Sequence, residues 1–185
     1  MKKPFCIACL FCLALSWGLS FAAGAAPKQK TAVPVSSPLP EKGTCAVLVK
    51  GPNPQRDSEM EELLSRRLKE KGYRVADGKK QAAIRGDKSA EAALEGDTDA
   101  VKRLGKRYGV AVIISVSIRL DGETQRNEFN LFTGTASAAV TAINSAGKVL
   151  WSDATEGKEM GYTRDEAERR AADAAAEAAF LRMTR

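Results

Sequence analysis

The chemistry open to this chain is narrowed first by what it lacks. Its 185 residues include no histidine. That removes Ser-His-Asp and Cys-His nucleophilic catalysis and every metal site that needs an imidazole. Carboxylates remain. Asp153, Glu156 and Glu159 follow one another closely, and a pair of carboxylates can cleave a glycosidic bond by acid and base catalysis. Nothing in their spacing brings them to one cleft, so solvated surface charge is the plainer reading. Asp97-Thr98-Asp99 offers two oxygen donors. A calcium loop needs ligands at several alternate positions and a closing Glu, which are missing, so Asp97 is expected to cap a helix. Residues 51–59 run from a strand into a helix, where phosphates often bind. They lack the Gly-Lys-Ser/Thr ending of a P-loop, and Pro52 and Pro54 remove N–H donors. Arg85-Gly86-Asp87 matches a cell-adhesion tripeptide, but such tripeptides arise by chance and this one reads as a loop before a helix start. Arg66-Arg67-Lys69 and Lys102-Arg103-Lys106-Arg107 lie on polar helix faces, the first set interspersed with Glu61, Glu62 and Glu70. They read as solvated charge. No catalytic residue, metal or cofactor is expected.

One surface stands above this background. Ser115, Ser117, Arg119, Thr133, Thr135, Ser137 and Thr141 alternate along two long strands, which turns them to one face of a sheet. Plain solvation is one reading of that face. The functional reading is a docking surface for a partner, with strand addition at a sheet edge as a second route.

Those strands are long and regular. Val110, Val112, Ile114, Val116 and Ile118 form the apolar side of the first. Residues 129–143 repeat the split, with Phe132, Gly134, Ala136, Ala138, Val140 and Ala142 on one side. Residues 148–155 return as the third strand of a meander. Upstream, 44–49 is a short apolar strand stopped by Gly51-Pro52-Asn53-Pro54. A helix follows, with Ser58 and Glu61 in capping-box spacing and an apolar stripe of Met60, Leu63, Leu64 and Leu68 ended by Gly72. Residues 73–76 make a second strand. Residues 78–96 give two short helical turns around Gly86, and a helix from Asp97 ends at Gly109. Thr163 and Glu166 open a last, alanine-rich helix. The order is β-α-β-α-β-β-β-α. It implies an α/β fold in two layers: a mixed sheet of about five strands, helices on one face, and the Ser/Thr face open. Gly134, Ala136 and Ala138 would let the last helix approach closely.

The ends of the chain place it. Lys2 and Lys3 precede an apolar run from Phe5 to Phe21 and a small-residue stretch at Ala22-Ala23-Gly24-Ala25-Ala26. This is the layout of a secretory signal peptide, expected over residues 1–26. The run is short for a membrane anchor, which needs roughly 20 residues. No Leu-small-small triplet precedes Cys45, so a lipid-anchored cysteine is not expected. Residues 27–43 hold Pro27, Pro34, Pro38 and Pro40 and few large apolar groups, which reads as a disordered linker. Residues 44–185 form the single domain. Removing Lys2 and Lys3 takes the formal charge from +6 to +4, and the +2 of the linker leaves +2 on the domain. That is too little for a nucleic-acid face. Cys45 is then the one cysteine left. It opens an apolar run and reads as a buried small hydrophobe.

Several segments resemble a group of bacterial envelope domains. The segment from Asp99 to Ile118, with Leu104-Gly105 and Gly109-Val110-Ala111-Val112, resembles their helix, Leu-Gly, Gly-Ala-Asp and apolar strand element. Here Ala111-Val112 stands where Ala-Asp is usual. Asn144-Ser145-Ala146-Gly147-Lys148-Val149-Leu150-Trp151-Ser152 is similar to their Asp-x-x-Gly-x-x-Leu-x-Ser hairpin, and the stretch from Glu166 to Ala175 to their closing helix. The group includes the curli secretion channel subunit, flagellar assembly protein T, the amino-terminal domain of TolB and the lipoprotein activator of a penicillin-binding protein. The resemblance implies an anticodon-binding-domain-like fold and an assembly or regulatory role without catalysis. It transfers no functional residue. The expectation is a non-enzymatic periplasmic adaptor, outer membrane-associated, secreted across the inner membrane with no span left after signal cleavage. Its expected partner is another envelope protein, with a second copy of itself as the other candidate. A small-ligand or glycan-binding module and a carboxylate-based wall glycan hydrolase are the alternatives.

Overall fold

The computed structural model describes Leu39 and residues 43–184. The expected signal peptide and all of the expected linker but Leu39 and Gly43 lie outside the described residues. Leu39 itself is 2% exposed and belongs to the core.

The elements run β1 (Thr44–Lys50), α1 (Pro54–Glu70), β2 (Arg74–Val75), α2 (Gly78–Arg85), α3 (Ala90–Leu94), α4 (Thr98–Tyr108), β3 (Val112–Leu120), β4 (Gln125–Arg126), β5 (Phe132–Asn144), β6 (Val149–Gly161) and α5 (Arg164–Met183). β1 pairs parallel with β2 and β3, and β5 pairs antiparallel with β3, β4 and β6. The result is the expected mixed α/β sheet, with six strands because Gln125–Arg126 forms a two-residue continuation of the β3 line.

Strand alternation divides the core into two. Cys45, Val47 and Val49 share a face with Val112, Ile114, Val116 and Ile118, against Met60, Leu64 and Leu68 of α1 and Ala175, Ala179 and Phe180 of α5. This is the expected helical layer. Ala46, Leu48, Ile113 and Ile143 point the other way, and Ile84, Ala93, Val101 and Leu104 of α2, α3 and α4 cover them. Helices therefore lie on one face alone over β6, most of β5 and the far half of β3, while Ile143 at the end of β5 is covered on the second face as well. Over β1 and the start of β3 both faces are covered, because the alternate positions there are apolar rather than Ser or Thr.

α5 lies very close to the hairpin of β5 and β6. A Cβ on Gly134 would stand 2.7 Å from Ala167 O, and one on Gly157 would stand 2.6 Å from Ala175 N. Thr155 Oγ1 donates to Ala175 O at 2.6 Å. Ala167, Ala171, Ala175 and Ala179 are fully buried there, as the small residues of the strand led one to expect.

Two helix starts test the capping expectations. Thr163 caps α5 by accepting the Glu166 N–H, while Glu166 Oε2 accepts the Tyr162 N–H at 2.8 Å. Ser58 does not cap α1. The helix begins one turn earlier at Asn53, whose side chain accepts the Gln55 N–H at 3.0 Å, with Pro54 in the first turn. Proline preset for helical φ at that position makes the earlier start the better one. Ser58 then lies inside the helix and donates to Pro54 O.

Candidate functional site

β1 outruns its short neighbour. β2 pairs with it only at Thr44 and Cys45, so the edge of β1 beyond would present bare backbone groups. Side chains take the place of the missing strand. Gln81 donates to Val47 O, and Glu61 Oε1 accepts the Val49 N–H at 3.0 Å. Glu61 is 2% exposed. Burial pushes its carboxyl above the usual range, while Arg85 and the Val49 N–H pull it back. This buried carboxylate is structural and ties α1 and α2 to one strand.

The adhesion-like tripeptide is engaged internally. Arg85 pairs with Glu61 and donates to Ser58 Oγ at 2.7 Å. Asp87 accepts the Ser89 N–H at 2.9 Å and the Tyr108 hydroxyl at 3.0 Å, and pairs with Arg107. The Ser89 N–H, then Arg107 and Tyr108, hold its carboxyl below the usual range. Asp97 caps α4, accepting the Asp99 N–H at 2.8 Å. Among the described residues no three His, Cys, Asp or Glu side chains gather closely enough to hold a metal ion.

The carboxylates of β6 do not converge. Asp153 and Glu159 share the face toward α5, opposite Val140 and Gly134, whereas Glu156 lies opposite Ser137 on the other face. Asp153 also pairs with Arg182 at 3.1 Å. Six residues of strand separate Asp153 from Glu159 by about 20 Å, far beyond the roughly 5–9.5 Å of a glycosidase pair.

The polar face is continuous. Arg119 stands opposite Ser137, Ser117 opposite Ala139 and Ser115 opposite Thr141. Thr133 and Thr135 extend it toward β4. Ser117, Thr133, Thr135, Ser137 and Thr141 are half-buried and Arg119 is exposed. Ser115 is buried at 4% and spends its hydroxyl on Thr141 O at 3.3 Å, so it belongs to the closed part of the sheet. It shares the lining of one trough with Leu94 at the end of α3. A trough of about 1060 Å³ lies over Ser117, Ser137 and Thr141, walled by Lys50 and the Leu94–Glu95–Gly96 corner. Glu91 and Glu95 hold Lys50 at that wall, each at 3.4 Å. The sequence reading missed Ser152, Ala154, Glu156, Lys158 and Met160, which continue the face on β6. The signal was the same alternation by two, hidden by the charges and glycine of the segment.

A second cleft of about 400 Å³ opens between the first halves of α1 and α5, over Ile118 and Leu120. Asp173 lines it, and burial raises its carboxyl above the usual range against the pull of Arg169 and Arg56. No helix among the described residues is long and apolar enough to cross a membrane.

No family model matches the chain, and no curated protein matches it. Solved structures similar to this chain include lipoprotein GNA1162 from Neisseria meningitidis, 19% identical over 66% of this chain and 86% of that one, with a TM-score of 0.48. The C-terminal domain of LpoB from Salmonella enterica is 11% identical over 65% and 83%, with a TM-score of 0.36. The hypothetical protein CT253 from Chlamydia trachomatis is 15% identical over 77% and 93%, with a TM-score of 0.45. These likenesses are of fold alone, and no role passes to this chain through them.

Proposed function

We propose that this domain is a non-enzymatic protein-binding module of the bacterial cell envelope, which docks another envelope protein on the open face of β3, β5 and β6. The observation that carries the reading is the contiguous strip of Ser117, Arg119, Thr135 and Ser137, left uncovered by the described residues beside a trough, where helices close the same face over β1 and the start of β3. Small hydroxyl side chains make a flat surface that a folded partner can approach, and Arg119, which has no ion-pair partner among the described residues, calls for a carboxylate across the interface. The apolar amino-terminal run and the resemblance of the hairpin and helix motifs support an exported location. The scattered carboxylates of β6 support binding over hydrolysis.

The test is photo-crosslinking in the native envelope, with a photoreactive residue at Thr135 and a control at Lys69, which is exposed on α1. A discrete protein captured from position 135 and not from 69 supports the reading. Equal labelling from both positions, or none from 135, overturns it. Specific turnover of an envelope substrate by the purified chain would equally remove the non-enzymatic part.

A further inference from the structure

The sheet has two edges, and they differ. β2 is two residues long, and the side chains of Glu61 and Gln81 close the strand behind it. β6 is thirteen residues long and, among the described residues, has β5 on one side only. Arg170 reaches Met160 O at 3.0 Å, so that carbonyl faces the free edge. In an antiparallel ladder the outward groups alternate by two. The N–H and C=O of residues 152, 154, 156 and 158 therefore face outward as well. Ser152, Ala154, Glu156 and Lys158 are all exposed.

We propose that this edge pairs antiparallel with β6 of a second copy of the chain, centred on Gly157. The register follows from two constraints. Outward-facing groups must meet outward-facing groups, so even residues lie opposite even residues. Opposite charges must also meet. Centring on residue 156 or 158 would set Glu156 against its own copy or Lys158 against its own copy. Centring on Gly157 sets Glu156 opposite the second copy's Lys158, and Lys158 opposite the second copy's Glu156. Opposed charges in directly facing positions favour a pairing and like charges oppose it. Neither residue has an ion-pair partner within the described part of its own chain. On the other face the same register sets Gly157 against Gly157, Thr155 against Glu159 and Asp153 against Gly161, with no like charges opposed.

α5 accommodates the pairing. It lies over β6, with Ala175 N above Gly157. Arg170 and Arg182 of this helix reach Met160 and Asp153, so the helical repeat puts Ala174 and Ala178 on the same flank between them. Two α5 helices in a continuous sheet would lie about two strand spacings apart, roughly 10 Å, which is the packing distance of helices. Alanine on the facing flank leaves that space free. In this register Arg170 gives up Met160 O to the second copy's Ala154 N–H, and Asp153 Oδ1, which accepts that N–H at 2.9 Å within one chain, gives it up in turn. The charges that favour this register also deter unrelated strands from the edge. The pairing is independent of what binds the open face.

The test is sedimentation equilibrium of the purified chain. The wild type is expected to associate to dimers with rising concentration. Glu156→Lys and Lys158→Glu are each expected to weaken association about tenfold or more, since each brings like charges together twice. The two variants mixed are expected to form a heterodimer, and the double exchange E156K/K158E is expected to restore the homodimer. Both positions are exposed on the sheet, and a fold unchanged by circular dichroism shows that loss of association is not unfolding. A wild type that stays monomeric overturns the proposal. So does a dimer indifferent to the single charge reversals, or one that the mixture and the double exchange fail to restore.

Discussion

Glu61 of α1 accepts the Val49 N–H of β1 at 3.0 Å and, on its other oxygen, the guanidinium of Arg85 from α2. One carboxylate thus replaces a missing strand and joins helices on opposite faces of the sheet. Glu61→Ala would leave a buried N–H without an acceptor and Arg85 without its anion. The expected cost is about 2 kcal/mol in a denaturant titration, most of it from the unsatisfied backbone donor, since Arg85 is half in solvent and its share is screened. A cost under a few tenths would show that water fills the position freely.

The pH dependence of the same residue has a fixed sign. Burial raises the folded carboxyl above its unfolded range, so the folded state binds the proton more tightly. The stability this contributes is present below the unfolded pKa and is lost as pH rises through the folded one. Against Glu61→Gln, the wild type's advantage is therefore expected to shrink as pH climbs above the ordinary glutamate range and then level off. Parallel stability curves for the two proteins would contradict it.

Gly157 is where α5 meets the sheet. A Cβ there would press on Ala171 O and stand 2.6 Å from Ala175 N, and neither is a flexible side-chain end. Gly157→Ala is expected to destabilise by about 1–3 kcal/mol through overpacking. Gly78 at the start of α2 has nothing within 4 Å of such a Cβ. Gly78→Ala should be neutral or slightly stabilising. Equal melting shifts for the two would remove close approach as the reason for the glycine.

Cys45 is 1% exposed, and burial pushes its thiol up to about 11. The thiolate is the reactive form, so iodoacetamide at neutral pH is expected to leave the native residue unmodified for hours and to label it at once in denaturant. Peptide mass mapping separates it from other cysteines. Prompt labelling of the native chain would mean that β1 opens locally.

Much of this fold was legible because its strands are long. Alternation by two over residues 112–120 and 132–144 sorts every side chain to a face, and one interior position carries many neighbours with it. The second helical layer was harder to foresee. It depends on Ala46, Leu48, Ile113 and Ile143, four residues on three strands whose adjacency exists only after the sheet forms. The start of α1 was misplaced because Ser58 and Glu61 have capping-box spacing by coincidence: Glu61 is required by Val49, which is twelve residues away. The far half of β6 was missed because Glu156-Gly157-Lys158-Glu159 has poor strand propensity, while register with β5 and contact with α5 hold it extended.

The docking face makes its own demand on mutants. Arg119 is exposed at the rim of the trough and lies opposite Ser137 in the strand ladder, so replacing it removes no core contact. Arg119→Glu is expected to leave the melting temperature within about 2 °C, since surface changes of this kind stay within about 0.5 kcal/mol. It should also abolish the discrete crosslink from Thr135, because a partner carboxylate would then meet a like charge. Arg119→Lys keeps the charge and loses the planar fork, and is expected to retain part of the yield. A face that binds through shape alone would give equal yields for both variants. A face that binds nothing would give no crosslink to lose. Only loss with Glu and partial retention with Lys fits a docking surface whose orientation is set by the guanidinium at its rim.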